Sequence, residues 1–249
     1  KAAQRVTLHH FRGPHPAGNS SVHIARVDPM APTDVVWTVK AVDVVVLGRL
    51  FLDGAFPESR IISLGGSNVK PGANQHYRVR MGGDLKPLLE GALCDGEHRV
   101  VSGDVLSGAA IPLDSHLRLR QSALTVVAAD CERHFMGWTM PGLLQMSFSR
   151  LFVSSWLPWK RDWKLGTNLH GEERALVLTG HYDKVMPLDI MVDFLIRAVM
   201  AGDSDEAISH GILETDPEDF ALCDFVCPSK VEVQAIIRQG LEQIAEEGI

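Results

Sequence analysis

The stretch RIISLGG at residues 60–66 carries the clearest fold signal in the sequence. Branched apolar residues followed by a Gly-Gly pair are typical of a strand that ends in a turn. The Lys-Pro-Gly turn at 70–72 and the alternating run YRVRM at 77–81 predict the second strand of a hairpin. A helix is expected over 85–93 and a third strand over 99–103. A hairpin, a helix and a returning strand in this order predict a small β-grasp unit.

The hydrophobic pattern changes on both sides of this unit. Residues 1–30 are rich in His, Gly, Pro and Ser, which indicates loop with at most short strands. Over 34–52, valine and leucine recur at three- and four-residue spacing, which predicts a helix capped by Asp34, although the β-branched run at 44–46 would also suit a strand. Alternating runs predict strands near Leu117 and Leu119, at 126–127 and at 133–138. The apolar faces that follow Pro187 predict helices as far as Glu247; Gly202 is expected to end one, Asp203 to cap the next, and residues 216–219 to open another. The fold class is therefore α+β.

Composition excludes several classes of function. The 249 residues are 45% hydrophobic and 22% charged, as in an ordinary globular protein. The net charge of −7 argues against nucleic acid as a partner, because phosphate binding needs a basic face. Four irregularly spaced cysteines imply no disulfide framework and fit a reducing cytoplasm: Cys94, Cys131, Cys223 and Cys227. No apolar run is long enough to span a membrane, and the start at Lys1 leads us to expect a piece of a longer protein.

A cysteine motif lies near the end of the chain. FALCDFVCP at 220–228 contains C-x3-C-P, which closes the C-x2-C-x2-C-x3-C-P run of iron–sulfur proteins. The full run needs cysteines at positions that hold Pro217 and Phe220, and two thiolates cannot supply the four ligands of a [4Fe–4S] cluster. Cys223 and Cys227 are then either small hydrophobes buried on one helix face or a regulatory pair whose disulfide would distort the helix.

Two further motifs have simple structural explanations. The glycine-rich loop at 65–72 joins a strand to a strand and lacks the Gly-Lys-Ser/Thr ending of a P-loop, so a hairpin connection is favoured over a nucleotide site. Four histidines, His9, His10, His15 and His23, match no zinc spacing and have no cysteine nearby. We therefore expect solvated or capping histidines.

Catalytic chemistry finds little support in the sequence. There is no G-x-S-x-G elbow and no H-E-x-x-H helix. His181, Asp183 and Asp189 are close in sequence, but no nucleophile in a recognisable context accompanies them. We predict no catalytic, cofactor-binding or metal-ligating residue in this chain.

An aromatic and basic segment runs over residues 148–164. On a helix its aromatic residues would form one stripe, although Pro158 would break or kink that helix. Tryptophan beside Lys and Arg is typical of a membrane–water interface and of a protein docking surface. Ordinary packing between domains is the alternative. The aromatic residues are Phe148, Phe152, Trp156, Trp159 and Trp163, and the basic ones are Lys160, Arg161 and Lys164.

Four segments, in one order, resemble the A subunit of the Na+-translocating NADH:quinone oxidoreductase, the bacterial respiratory sodium pump. They are PHPAG at 14–18, VVSGDVLSG at 100–108, HYDKVMPLDIM at 181–191 and FALCDFVCP at 220–228. The resemblance runs over nearly the whole chain and corresponds to the C-terminal part of the family's chain.

The resemblance implies a peripheral subunit on the cytoplasmic face of the bacterial inner membrane. Its complex is a translocase that oxidises NADH, reduces ubiquinone and exports Na+. The FAD, FMN and iron–sulfur cofactors would lie in partner subunits, some of them membrane-embedded. This chain alone would be non-catalytic, with a role in assembly and in quinone interaction. The alternative, an electron-carrying subunit of a related complex that binds flavin or a cluster itself, is opposed by Pro217 and Phe220.

The resemblance also divides the chain into four parts. The end of a Rossmann-like domain is expected over 1–57 and the β-grasp unit over 58–110. A β-rich segment with the aromatic and basic linker follows over 111–165, and a helical domain over 166–249.

Overall fold

A computed structural model describes residues 6–31, 33–129, 136–143, 145–157, 163 and 165–248. The chain forms two compact units, one combining Lys1–Thr38 with Glu172–Ile249 and the other made of Val39–Gly171. Its helices are α1 (Ser20–Val27), α2 (Ala41–Asp53), α3 (Lys86–Ala92), α4 (Val192–Ala201), α5 (Ser204–Ser209), α6 (Ala221–Val226) and α7 (Val233–Glu247). Its strands are β1 (Ser59–Gly65), β2 (His76–Arg80), β3 (His98–Ser102), β4 (Ala109–Ile111) and β5 (Ala123–Ala128).

The strands form one five-stranded sheet in the order β2-β1-β5-β3-β4. β1 and β5 run parallel, and the other neighbouring strands are antiparallel. Alternation along β1 sends Ile62 and Leu64 into a core that α3 covers with Leu85 and Leu89. The predicted hairpin, helix and returning strand are confirmed. The centre of the sheet is β5, which comes from beyond the predicted β-grasp segment and lies between β1 and β3.

The strand expected near Leu117 and Leu119 is wrong. Arg118 and Gln121 close a tight turn, in which the Gln121 N–H donates to the Arg118 carbonyl at 3.1 Å. The Gln121 side-chain oxygen accepts the Arg118 N–H at 3.0 Å. These local bonds satisfy the backbone before it can join the sheet, so β5 begins only at Ala123. The strand expected at 133–138 falls partly outside the described residues, and Gly137–Thr139 form a 3₁₀ turn.

α2 begins at Ala41 and not at residue 34. The Asp34 carboxylate accepts the Ala31 N–H at 2.8 Å and therefore caps a turn, not a helix. Lys40, which precedes the first helical residue, has extended backbone with φ −68° and ψ 145°, so the helix cannot extend back through it. Gly54, with a positive φ of 66°, ends the helix as such C-terminal glycines do.

α1 lies in a segment expected to be loop. Its preceding residue, Asn19, makes no cap to the helix. The Asn19 amide instead donates to the buried Asp219 carboxylate at 3.0 Å, and the Ser21 hydroxyl donates to the same oxygen at 2.5 Å. An isolated eight-residue helix is marginal in water, so contacts with distant residues account for α1.

α4 to α7 enclose the core of the other unit. Leu195 and Ile196 of α4 pack with Phe220 and with Ile237 of α7, all fully buried. Gly202 ends α4 in the left-handed conformation, as predicted. Asp203 caps α5, also as predicted, by accepting the Glu206 N–H at 2.9 Å.

Two element starts in this unit refine the predictions. A capping box formed by Asp216 and Asp219 opens the 3₁₀ turn Pro217–Phe220 that leads into α6, where a helix start was expected. α4 begins at Val192, whereas the apolar pattern predicted helix directly after Pro187. Residues 187–190 bend instead of continuing the helix.

Candidate functional site: the buried thiols and the exposed apolar surfaces

The cysteine motif lies inside the helical core. Cys223 lies on α6 and Cys227 ends it, and their exposed fractions are 0% and 1%. The Tyr182 hydroxyl, itself buried, donates to the Cys227 Sγ at 3.0 Å. Both thiols are free, so the pair packs as small hydrophobes and forms no disulfide.

Burial favours the neutral forms of Cys223 and Tyr182. Burial raises the pKa of the Cys223 thiol to about 12, and the neighbouring Asp224 carboxylate adds to the rise. Burial also raises the pKa of Tyr182, followed by its hydrogen bond to Cys227. Because the thiolate is the form that attacks electrophiles and ligates metals, the Cys223 thiol is poorly suited to either role at neutral pH.

The two other positions of the iron–sulfur run are used for packing. Phe220 is fully buried in the helical core, and Pro217 occupies the first position of the 3₁₀ turn. Within the described residues, no three His, Cys, Asp or Glu side chains lie close enough to hold a metal ion.

The N-terminal histidines do not converge. The His23 Nε2–H donates to the Ala17 carbonyl at 2.9 Å, and the ring stacks on Phe11 at a centroid distance of 4.2 Å. The other three, His9, His10 and His15, are exposed. Local contacts therefore explain the position of the His23 ring.

Asp193 is a buried carboxylate that sequence reasoning did not single out. Asp193, in the first turn of α4, is 7% exposed, and its Oδ1 has no hydrogen-bond partner among the described residues. Burial raises the pKa of Asp193, and Asp183 adds to the rise, while Arg197 opposes it. An acidic residue at a helix start looks like an ordinary dipole-compensating residue in sequence, so no signal distinguished it.

The glycine-rich loop is a hairpin connection, as predicted. Two of its backbone N–H groups already donate within the protein and could not also bind a phosphate: the Asn68 N–H to the Val126 carbonyl at 3.2 Å, and the Lys70 N–H to the Ala92 carbonyl at 2.8 Å. Gly66 has a φ of 129°, and a Cβ there would lie 2.0 Å from the Val126 carbonyl oxygen. The glycine is required by close approach to β5 and not by a phosphate.

The aromatic residues at 148–156 do not lie on a helix and form no helical stripe. Residues 136–143 and 145–157, hereafter the apolar loop, contain only short 3₁₀ turns. The Val153 N–H donates to the Pro141 carbonyl at 2.9 Å, and Phe152 packs over Gly142, whose φ is 63°. A loop folded back in this way has no 3.6-residue period, so the spacing of the aromatic residues does not place them on one face.

The apolar loop presents large side chains to the outside. Leu151 is 79% exposed and Trp156 is 78% exposed, and Met140 and Leu143 are each at least half exposed. Trp163 lies nearby in sequence and is 40% exposed. The remaining members of the segment, Trp159, Lys160, Arg161 and Lys164, lie outside the described residues.

α2 is a second exposed apolar surface. None of its 13 residues is buried, and Phe51 and Leu52 are 84% and 87% exposed. Apart from Asp43, Gly48, Arg49 and Asp53 its residues are apolar, and so apolar a helix is normally enclosed by other elements. Within the described residues, no helix is both long and apolar enough to cross a membrane.

Exposed apolar side chains on this scale mark surfaces that contact another molecule or another part of a longer chain. The fold and these two surfaces therefore define a class of protein: an α+β chain whose exposed apolar residues are suited to contact further elements or molecules.

Comparison with known proteins specifies the family. Residues 1–56 match the family model described as NqrA second alpha/beta domain, and residues 61–111 match the one described as NQRA C-terminal domain. The chain belongs to the family formed by the A subunit of the Na(+)-translocating NADH-quinone reductase.

Three relatives carry that name. The one from Pasteurella multocida (strain Pm70) is 43% identical over 240 residues, which are 96% of this chain and 53% of the relative. The one from Yersinia pseudotuberculosis serotype I (strain IP32953) is 40% identical over 98% of this chain and 54% of its own length. The one from Klebsiella pneumoniae (strain 342) is 40% identical over 99% and 55%. The chain thus spans about half the length of the curated relatives it matches.

Proposed function

We propose that this chain is part of a peripheral, cofactor-free subunit of a complex that oxidises NADH, reduces ubiquinone and exports Na+. The observation that carries the proposal is the match of 96% of the chain to the A subunit of the Na(+)-translocating NADH-quinone reductase of Pasteurella multocida. The subunit sits on the cytoplasmic face of the inner membrane, where it serves assembly and contributes to quinone interaction. Electron transfer and sodium movement belong to its partners.

The buried cysteines support the cofactor-free part of the proposal. A cluster-binding subunit would need four thiolates facing one cavity. Here Cys223 and Cys227 are enclosed by Phe220 and Tyr182, and burial holds the Cys223 thiol in its protonated form.

The apolar loop supports the docking part. Large aromatic and aliphatic side chains at the centre of an interface provide most of its binding energy. Leu151 and Trp156 are the most exposed of the loop's large side chains, and so they are the best candidates for such anchors. We propose that they contact a membrane-embedded subunit.

The test is recovery of the complex from cells whose own copy of this subunit is replaced by a full-length version carrying Leu151→Ser with Trp156→Ser. We expect the variant to express normally and to be lost from the purified complex. The matched control is Met191→Ser with Met200→Ser, two side chains that are 57% and 59% exposed elsewhere. Recovery of the loop variant at the control's stoichiometry would exclude the loop as the dock.

The finer fold assignments belong to this proposal. The order β2-β1-β5-β3-β4, with a central parallel pair and α3 on one face, supports a β-grasp unit. The match of residues 1–56 to an α/β domain supports the end of a Rossmann-like domain. We propose that α2 covers a sheet formed by the half of the family's chain that lies outside this sequence, which explains its apolar surface.

A further inference from the structure

The edge strand β2 presents a row of outward-facing backbone groups. Two hydrogen bonds fix its orientation: the Met81 N–H donates to the Glu58 carbonyl at 2.8 Å, and the Leu64 N–H donates to the Gln75 carbonyl at 3.0 Å. Odd-numbered residues therefore bond to β1. Because facing residues alternate in an antiparallel pair, the N–H and C=O groups of the even-numbered residues point away from the sheet.

The even-numbered residues are His76, Arg78 and Arg80, and all three side chains are exposed. The Arg80 carbonyl accepts the Gly83 N–H at 2.9 Å. The outward groups of His76 and Arg78 pair with no strand in the part of the chain that the structure describes. One strand edge thus offers both main-chain hydrogen bonds and a row of basic side chains, with the exposed Ile61 beside Arg78 on β1.

β2 is basic in an acidic chain. Its five residues include two arginines and one histidine and no acidic residue, whereas the net charge of the chain is −7. The acidic residues that flank the two strands of the hairpin are Glu58 and Asp84, both exposed, and Asp43 pairs with Arg60 at 3.2 Å. The positive charge of this edge therefore comes from Arg78 and Arg80.

We propose that β2 accepts an extended acidic segment of another subunit, which adds a sixth strand to the sheet. This inference rests on the proposed function, because that function places the chain in a multi-subunit complex. Main-chain bonds would supply affinity, and acidic side chains at alternate positions would lie opposite Arg78 and Arg80.

Two other occupants fit the edge poorly. A second copy of this chain would place arginines opposite arginines, and like charges directly across a strand pair repel. Basic side chains on an edge also guard against such self-pairing. A lipid surface would meet the charges but would not satisfy donors and acceptors spaced along a strand.

The test is site-specific photo-crosslinking within the assembled complex. The full-length subunit carries p-benzoylphenylalanine in place of Arg78, and the control carries it in place of Arg99, an exposed arginine on the interior strand β3. We expect position 78 to crosslink to an acidic, extended segment of another subunit, with at least tenfold higher yield than position 99. A crosslink to lipid, to a second copy or to a helical surface, or no crosslink in a complex that has assembled, would overturn the inference.

A pair of variants separates backbone pairing from charge. Arg78→Pro removes an N–H that points outward and leaves the bonds to β1 intact, whereas Arg78→Thr removes only the charge. With the crosslinker at His76, we expect about a tenfold loss of yield in the proline variant and about a two- to threefold loss in the threonine variant. Equal losses would show that charge alone acts. Hydrogen exchange of the β1 amides confirms that the strand remains folded.

The two failures are distinguishable. If the unmodified subunit does not co-purify with the complex, the proposed function fails. If it co-purifies and position 78 gives none of the expected crosslink, only the sixth-strand inference fails.

Discussion

Replacing Asp219 by alanine is expected to release α1 from the helical unit. The Asp219 carboxylate is 1% exposed and accepts three hydrogen bonds. Two of the donors, the Asn19 amide and the Ser21 hydroxyl, lie about the start of α1, and the third is the Asp216 N–H. The bond from Asn19 joins residues that are 200 positions apart in the sequence.

The magnitude follows from those bonds. A hydrogen bond to a charged group contributes about 1.5–3 kcal/mol, and Ser21 can recover part of its bond with water. Asn19 is 8% exposed and has no such replacement while α1 stays docked. We expect a loss of about 3 kcal/mol in the free energy of unfolding of this unit. If α1 detaches locally, its amides should exchange about a hundredfold faster.

Urea unfolding and hydrogen exchange measure the two quantities. The matched control is Asp203→Ala, an exposed helix cap that is expected to cost about 1 kcal/mol and to leave α1 protected. If the amides of α1 keep wild-type protection in the Asp219 variant, or if that variant is no less stable than the control, the contact does not hold α1 in place.

Three further changes test other parts of the structure. Gly66→Ala should cost about 3 kcal/mol in urea unfolding, because its Cβ would lie 2.0 Å from the Val126 carbonyl oxygen; Gly72→Ala, with open space around its Cβ, should cost only about 1 kcal/mol, and equal losses would refute the close approach. Because the folded protein raises the pKa of Cys223, the buried neutral thiol contributes fully to the free energy of unfolding below the thiol's ordinary pKa of 9.0. That contribution declines as the pH rises towards about 12. The stability of the wild type relative to Cys223→Ala should therefore fall by about 1.4 kcal/mol between pH 8 and pH 10, and a flat difference would contradict the burial. Phe51→Asp with Leu52→Asp should change the stability of this chain by less than about 0.5 kcal/mol, since both residues are exposed, but should destabilise the full-length protein by about 3 kcal/mol or more; equal effects in the two proteins would exclude a covered α2.

Local signals explain what could be predicted. The strand β1 ends at a glycine pair that the turn needs. Gly202 ends α4 because glycine readily adopts a positive φ, and Asp203 starts α5 because its side chain accepts a backbone N–H of the first turn. The cysteine motif could be interpreted from two positions, Pro217 and Phe220, because a cluster has a fixed number of ligands.

Long-range contacts explain which features could not be predicted from the sequence. α1 depends on Asp219, about two hundred residues away, and no pattern in residues 20–27 indicates that contact. The position of β5 at the centre of the sheet depends on pairing with β1 and β3, which periodicity does not reveal. The aromatic spacing at 148–156 matched a helical repeat by coincidence, because the apolar loop is held by Val153 and by Phe152 packed over Gly142.

The visible absorption spectrum of the purified chain, together with its iron and flavin content, is the decisive measurement for a cofactor-free role. We expect no absorption band beyond that of the protein and no iron or flavin in stoichiometric amount, because Phe220 and the buried Cys223 and Cys227 leave no set of thiolates for a cluster. A stoichiometric flavin or iron–sulfur spectrum that survives purification would contradict the cofactor-free role and would favour the electron-carrying alternative.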